Sequence, residues 1–169
     1  PEPPDPGLIE RLHRDLGDAE RPPMLLGGGG WTEAARADIL AFAEANDLPT
    51  CCSFRRLDLF DNRHRNFIGE LGIAPDPALV ARVKAADLLL IVGARCGEIT
   101  SQGYRLLPLV DATEAPAAEG PEIVHVHPEP GEFGRVFRPS LAIPADVSAF
   151  AATAAALAPF GGRRWRTWA

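Results

Sequence analysis

The sequence predicts an α/β domain built on a mainly parallel sheet. Three observations predict it. Short apolar, strand-like runs alternate with segments whose apolar residues recur at helical spacing. The clearest run, Asp87-Leu88-Leu89-Leu90-Ile91-Val92-Gly93, is apolar without interruption from Leu88 to Val92 and has a Gly after it, as in a strand covered on both faces. Many of the 17 prolines fall at the boundaries between these segments, where they punctuate the chain.

Residues 1–6 form a Pro-rich leader, and Leu8, Ile9, Leu12 and Leu16 predict a short amphipathic helix over about 8–17. Residues 1–20 are thus read as linker and N-terminal helix, ended by Arg21-Pro22-Pro23. Met24-Leu25-Leu26 predicts a buried strand that feeds four glycines. Thr32 is a suitable N-cap for a helix from Ala34 to Asn46, with Ala35, Ile39, Phe42 and Ala43 on its apolar face. Thr50 to Phe54 reads as a second strand. The polar stretch 55–75 is expected to be mostly loop, with a short strand at Phe67-Ile68-Gly69. Asp76 and Pro77 open a helix that runs to Ala86, and the Asp87–Gly93 strand follows. An irregular stretch, 96–121, contains a Pro/Ala/Glu-rich insertion at 111–121. Ile123 to His127 is a further strand, with a helical piece expected near Glu129–Arg135. Leu141-Ala142-Ile143 is the last strand, and Asp146 is expected to cap a final Ala-rich helix to about Ala158. Residues 160–169, with Trp165 and Trp168, read as the start of a C-terminal linker.

Composition sets bounds. The chain has 169 residues, a size that fits one domain with its own core. The net charge of −6 argues against nucleic-acid or membrane-surface binding, which needs clustered positive charge. No apolar run approaches the ~18 residues of a membrane span. The start, PEPPDPG, lacks the basic and apolar regions of a signal peptide and lacks an initiator Met, so an excised segment is expected. Cys51, Cys52 and Cys96 are odd in number and form no C-x-x-C, which argues against a disulfide framework or zinc site and for a reducing cytoplasm. Arg supplies all but one (Lys84) of the basic residues, a compositional bias with no functional content.

Two turns carry the chemistry. Gly27, Gly28, Gly29 and Gly30 follow a strand and precede a helix, where glycine permits close backbone approach and the helix N-terminus favours an anion. The run is half of a G-x-G-x-x-G fingerprint, since Thr32 takes the third Gly position, and no Gly-Lys-Ser/Thr follows. It is read either as a nucleotide contact or as a tight structural turn. The backbone freedom of the turn predicts that a side chain at Gly29 destabilises the domain. Gly93, Ala94 and Arg95 lie beyond the strongest strand, where ligands bind in open parallel sheets, and Arg95 suits a diphosphate or carboxylate or a structural ion pair. His125 and His127 share one face of a strand; they are read first as packing or surface residues, second as ligand-edge contacts, and last, with Glu129, as a metal site, for want of a third ligand. Arg55, Arg56, Arg63, His64 and Arg65, interleaved with Asp58 and Asp61, are read first as ion pairs and second as an anion site. Neither a nucleophile elbow, nor a Cys–His pair, nor a paired-carboxylate signature is visible.

The segments RPPMLLGGGGWTEAARADILAFAEANDLP, FIGELGI, AADLLLIVGARCGEIT, EIVHVHPEPGEFGR and LAIPADVSAFAATAAAL together resemble the central domain of thiamine-diphosphate-dependent enzymes of the acetolactate synthase type, over roughly residues 8–159. The resemblance implies a three-layer, Rossmann-like domain at 21–159 with about six strands. It implies a parent enzyme that acts on 2-oxo acids, with flanking N- and C-terminal domains that hold thiamine diphosphate and Mg²⁺ and pair as a homodimer or homotetramer. The only Gly-Asp here, Gly17-Asp18, is followed by Ala19, so no Gly-Asp-Gly diphosphate motif is present and no catalysis is expected of this segment alone. In such enzymes the central domain binds FAD, an ADP-type nucleotide, or nothing. The matching positions are Gly27–Gly30 and Gly93–Arg95, and His127, at the later strand, is the remaining candidate ligand contact. That last position departs from flavin-binding members, which often carry an acidic-x-acidic pair where this chain has His125-Val126-His127. A Gly/His-rich flavin loop is likewise replaced by the Arg/Asp-rich 55–65 segment. The rival reading is a free-standing nucleotide-binding module without thiamine chemistry.

Overall fold

The computed structural model describes residues 2–107 and 120–160. Residues 111–119 of the 111–121 insertion and residues 161–169 of the 160–169 linker therefore lie outside the described residues. Six strands form one sheet: β1 (Met24–Leu26), β2 (Thr50–Ser53), β3 (Phe67–Leu71), β4 (Leu88–Val92), β5 (Glu122–His127) and β6 (Leu141–Pro144). Their order is β3-β2-β1-β4-β5-β6, and every neighbouring pair is parallel. This is the doubly wound order of the Rossmann fold.

Side chains alternate across the sheet, so each strand feeds two apolar layers. Met24, Leu26, Leu90, Val92, Val124, Val126 and Ile143 face helices α1 (Pro6–Asp18), α2 (Glu33–Asn46) and α4 (Val147–Ala155). Leu25, Cys51, Leu89, Ile91 and Ile123 face α3 (Pro77–Lys84) together with Cys96, Leu106, Leu107 and Phe137 from irregular chain. Among the described residues, one helix and loops cover the second face.

Local signals set the helix ends. Thr32 Oγ1 accepts the Ala35 N–H at 3.1 Å, and Asp76 Oδ1 accepts the Ala78 N–H at 2.8 Å, as the sequence predicts. α1 starts at Pro6, earlier than the apolar spacing shows, because Pro suits the first helical position and Asp5 caps it. Asp146 takes the N-cap position of α4 as expected, but its side chain makes no capping hydrogen bond; its Oδ2 accepts the Glu2 N–H at 2.6 Å, which ties the leader to the domain. The helical piece near Glu129–Arg135 reduces to a 3₁₀ turn at Pro130–Glu132, since Pro and Gly there do not sustain an α-helix. β3 runs two residues past the expected Gly69. It is a half-buried edge strand with a register shift opposite Thr50/Cys51, and its mixed sequence shows no clean alternation.

Two side-chain anchors, Asn46 buried and Asp87 half-buried, close the ends. Asn46 donates to the Phe42 carbonyl at 2.8 Å and accepts the Phe160 N–H at 2.8 Å, and Phe160 packs edge-on against Phe42. Asp87 accepts the N–H groups of Glu20 and Arg21 at 2.6 and 2.8 Å, fixing the entry to β1 beside the start of β4. Among the described residues no helix is long and apolar enough to cross a membrane.

Candidate functional site

β1 and β4 are neighbours, yet the chain leaves β1 toward β2 and leaves β4 toward β5, on opposite sides. This reversal opens a crevice beyond the carboxyl ends of β1 and β4, where ligands bind in open α/β sheets. A cleft of about 460 Å³ lies there, lined by Gly28, Gly29, Gly30, Gly93, Arg95, His127, Pro128, Glu129, Asp146 and Val147. Six of the eight sequence-predicted site residues meet in it.

The other two lie beneath. Gly27 is buried, its N–H donates to the Val92 carbonyl at 3.0 Å, and a Cβ there would sit 2.3 Å from Ser53 Oγ. Ala94 is buried, and its carbonyl accepts from His125 Nε2 at 2.9 Å. They shape the floor of the site.

The two glycine turns lean on each other. Gly28 has φ +70°, and a Cβ on it would lie 1.9 Å from the Gly93 carbonyl oxygen. Gly93 has φ +75°, and its Cβ would lie 2.6 Å from the Gly27 oxygen and 2.8 Å from Val147 Cγ1. Gly29 does not meet the expectation placed on it: its φ is not positive and an added Cβ touches nothing within 4 Å. The tight approach belongs to Gly28 and Gly93, because the strand ends, and not the tip of the turn, are in contact.

Donors converge on the cleft. The Trp31 indole donates to the Gly27 carbonyl and the Ser148 hydroxyl to the Gly30 carbonyl, both at 2.8 Å, which fixes the turn. The N–H groups of Gly28, Gly29 and Gly30 make no hydrogen bond among the described residues. α4 meets the cleft at Asp146 and Val147 without a side-chain cap, so its first-turn N–H groups and positive dipole end stay available. The Arg95 side chain is 67% exposed and reaches Glu132 at 3.5 Å, while Glu132 also pairs with Arg135 at 3.2 Å. His127 Nδ1 accepts the Glu129 N–H at 3.0 Å. The two carboxylates on the cleft are Glu129, at the rim, and Asp146, engaged by the Glu2 N–H. Sequence reasoning missed the contribution of α4; the signal was present, since the helix after a strand of a parallel sheet starts at the carboxyl edge.

His125 and His127 share a face as expected, with ring centroids 5.7 Å apart. Burial lowers the His125 pKa to about 4 and also lowers that of His127. Both are therefore neutral near pH 7. His125 donates to Ala94 and packs edge-on against Phe133, 5.3 Å away, so it braces the Gly93–Arg95 turn from below. Among the described residues no group of three His, Cys, Asp or Glu side chains is placed to hold a metal.

The Arg-rich segment resolves into local pairs. Arg56 meets Asp58 at 3.0 Å, Arg63 meets Asp61 at 3.2 Å, His64 meets Glu44 at 2.9 Å, and Arg65 meets Asp47. Most are exposed and each contributes little stability. The three cysteines are buried free thiols, and burial raises the pKa of each, Cys52 and Cys96 to about 12, so none is a ready thiolate. A larger open groove of about 720 Å³ runs between Lys84 and the 98–105 segment, but it lies away from the switch point and its glycine turns.

Comparison with known proteins places this architecture. The family model described as thiamine pyrophosphate enzyme, central domain, matches residues 9–154. The chain belongs to that family. The central-domain chain is 31% identical over 147 residues to probable acetolactate synthase 2, chloroplastic, of Oryza sativa subsp. japonica, covering 87% of this chain and 20% of that protein. It is 30% identical over 149 residues to sulfoacetaldehyde acetyltransferase of Rhodobacter capsulatus, covering 88% of this chain and 24% of that protein. It is 33% identical over 100 residues to a probable sulfoacetaldehyde acetyltransferase of Rhizobium meliloti, covering 59% of this chain and 17% of that protein. The central domain thus spans about a fifth of the length of the curated relatives it matches.

Proposed function

We propose that this chain serves as the central domain of a thiamine-diphosphate-dependent enzyme of the acetolactate synthase or sulfoacetaldehyde acetyltransferase type, acting on 2-oxo acids or related substrates. In this reading the catalytic groups, thiamine diphosphate and Mg²⁺ sit in flanking domains, through which copies pair. The chain's only Gly-Asp, Gly17-Asp18, lies in the last turn of α1 and is no diphosphate loop, which supports that division of labour. The family match supports a domain of a larger enzyme over a free-standing module.

We further propose that the switch-point cleft binds the adenosine-diphosphate portion common to FAD and ADP. One observation carries this: free backbone N–H groups of Gly28–Gly30, the uncapped start of α4, Arg95 and His127 converge where a side chain on Gly28 or Gly93 would block the approach. The residues present fit such a ligand. When bound, FAD would supply a flavin and ADP only charge and shape; the chain's own residues bind and orient the diphosphate. Titration with FAD or ADP is expected to raise the melting temperature with dose, by about 2.7 kcal/mol of native-state stabilisation at 100 times Kd. Arg95→Ala is expected to weaken that binding roughly tenfold, about 1.4 kcal/mol, the size of one charge-assisted hydrogen bond. No shift with either ligand in the intact protein refutes the nucleotide reading. CO₂ release from 2-oxo acids independent of thiamine diphosphate would refute the enzyme class.

A further inference from the structure

We propose that His127 is a ligand-contact residue whose cleft-facing nitrogen is a fixed hydrogen-bond donor, so that the carboxyl end of β5 selects a phosphoryl oxygen in place of a sugar hydroxyl pair. This rests on the reading of the cleft as a nucleotide site and specifies its polarity.

The tautomer follows from one hydrogen bond. The Glu129 N–H points at Nδ1 at 3.0 Å, so Nδ1 bears no proton and the neutral ring carries it on Nε2. The side chain lines the cleft, and no buried side-chain polar atom among the described residues lacks a partner. Nε2–H, which has no partner among those residues, is therefore open to the cleft. The surrounding ionisable groups do not cancel its character. Glu132 is held by Arg95 and Arg135, the Asp146 carboxylate accepts the Glu2 N–H, and His125 is committed to the Ala94 carbonyl. Glu129 stands at the rim through its own side chain, while its backbone sets the ring.

Donor polarity decides which ligand group belongs here. A carboxylate reads a vicinal diol because the diol offers two donors to it. A phosphoryl group offers acceptors only, and here it would meet Nε2–H and the Arg95 guanidinium on the same cleft. A His at position 127 thus sets what the strand end recognises.

The test separates the two imidazole nitrogens. Calorimetric titration of the intact protein, with saturating thiamine diphosphate and Mg²⁺ present throughout, uses ADP, inorganic pyrophosphate and adenosine as probes. His127→Asn places an amide oxygen near the Nδ1 position and keeps the Glu129 contact, but offers nothing to the cleft. His127→Gln places an N–H near the Nε2 position and gives up the Glu129 contact. For the wild type, ADP and pyrophosphate are expected to bind and adenosine to bind at least tenfold more weakly. His127→Asn is expected to lose roughly tenfold in ADP affinity with an unchanged melting temperature, whereas His127→Gln keeps affinity within a few-fold. A purely structural role gives the opposite order, and that order overturns the proposal, as does equal binding of adenosine and ADP, which needs no variant. If the wild type binds ADP and His127→Asn binds it equally, this proposal alone fails. If the wild type binds none of the three probes and no FAD, the nucleotide reading fails with it.

Discussion

Gly28→Ala should be among the most damaging single-methyl additions to this domain, and Gly29→Ala among the least. The new Cβ at Gly28 would lie 1.9 Å from the Gly93 carbonyl oxygen and 2.8 Å from its carbon. Neither atom can swing aside, because Gly93 continues β4, a central strand, and its N–H is bonded to Val126 at 2.8 Å. Relief requires the ends of β1 and β4 to part, a backbone displacement with an overpacking cost of about 1–3 kcal/mol. The left-handed conformation at φ +70° adds about 1–2 kcal/mol for any residue with a Cβ. The sum, roughly 2–5 kcal/mol, is a large share of the 5–15 kcal/mol typical of a folded domain. At Gly29 neither cost applies, and the loss of unfolded-state freedom favours Ala by about 0.4–1 kcal/mol. Urea unfolding of the wild type and both variants, compared by midpoint at constant slope, measures the difference. Equal midpoints for the two variants, or a lower one for Gly29→Ala, would refute the contact between the two turns as the source of the glycine requirement.

Other consequences follow from buried polar groups. His125 has a native pKa of about 4 against an ordinary value of 6.5, so between these values the unfolded chain takes up a proton that the native ring refuses. Its neutral form is tolerated fully above pH 6.5, and stability falls as pH drops toward 4, by roughly 3 kcal/mol at most. His127 shifts in the same direction and adds to the same slope. His125→Gln, which can keep a donor toward Ala94, is expected to flatten that limb of the stability–pH curve; parallel curves would count against it. Asn46→Ala leaves the Phe160 N–H and the Phe42 carbonyl without their side-chain partner and should cost about 1–3 kcal/mol by the same urea assay. A loss below 0.5 kcal/mol would show that Phe160 does not dock as described.

Much of the fold was legible because its signals are local. The Thr32 and Asp76 caps, Pro77 and the apolar run of β4 each depend on a few adjacent residues, and each holds in the structure. The sequence shows β3 only to Gly69, because an edge strand buries little and so shows little pattern. Asp146 holds the N-cap position that the sequence predicts, but its side chain turns to the Glu2 N–H, because a capping side chain and one tied to the leader look alike in sequence.

The site divides in the same way. The sequence by itself determined that two glycine-bearing turns would follow apolar strands, and that an Arg and a His would stand beside them. Only the tertiary structure decided that β1 and β4 are neighbours, which brings Gly28 against Gly93 from 65 residues away and frees Gly29. It alone added the start of α4, and it alone set the polarity of His127, through a backbone N–H whose direction depends on the turn at Pro128-Glu129-Pro130. The physical reason is range. Propensity, capping and periodicity act within a few residues, whereas strand order, close backbone approach and tautomer depend on groups that meet only once the sheet has formed.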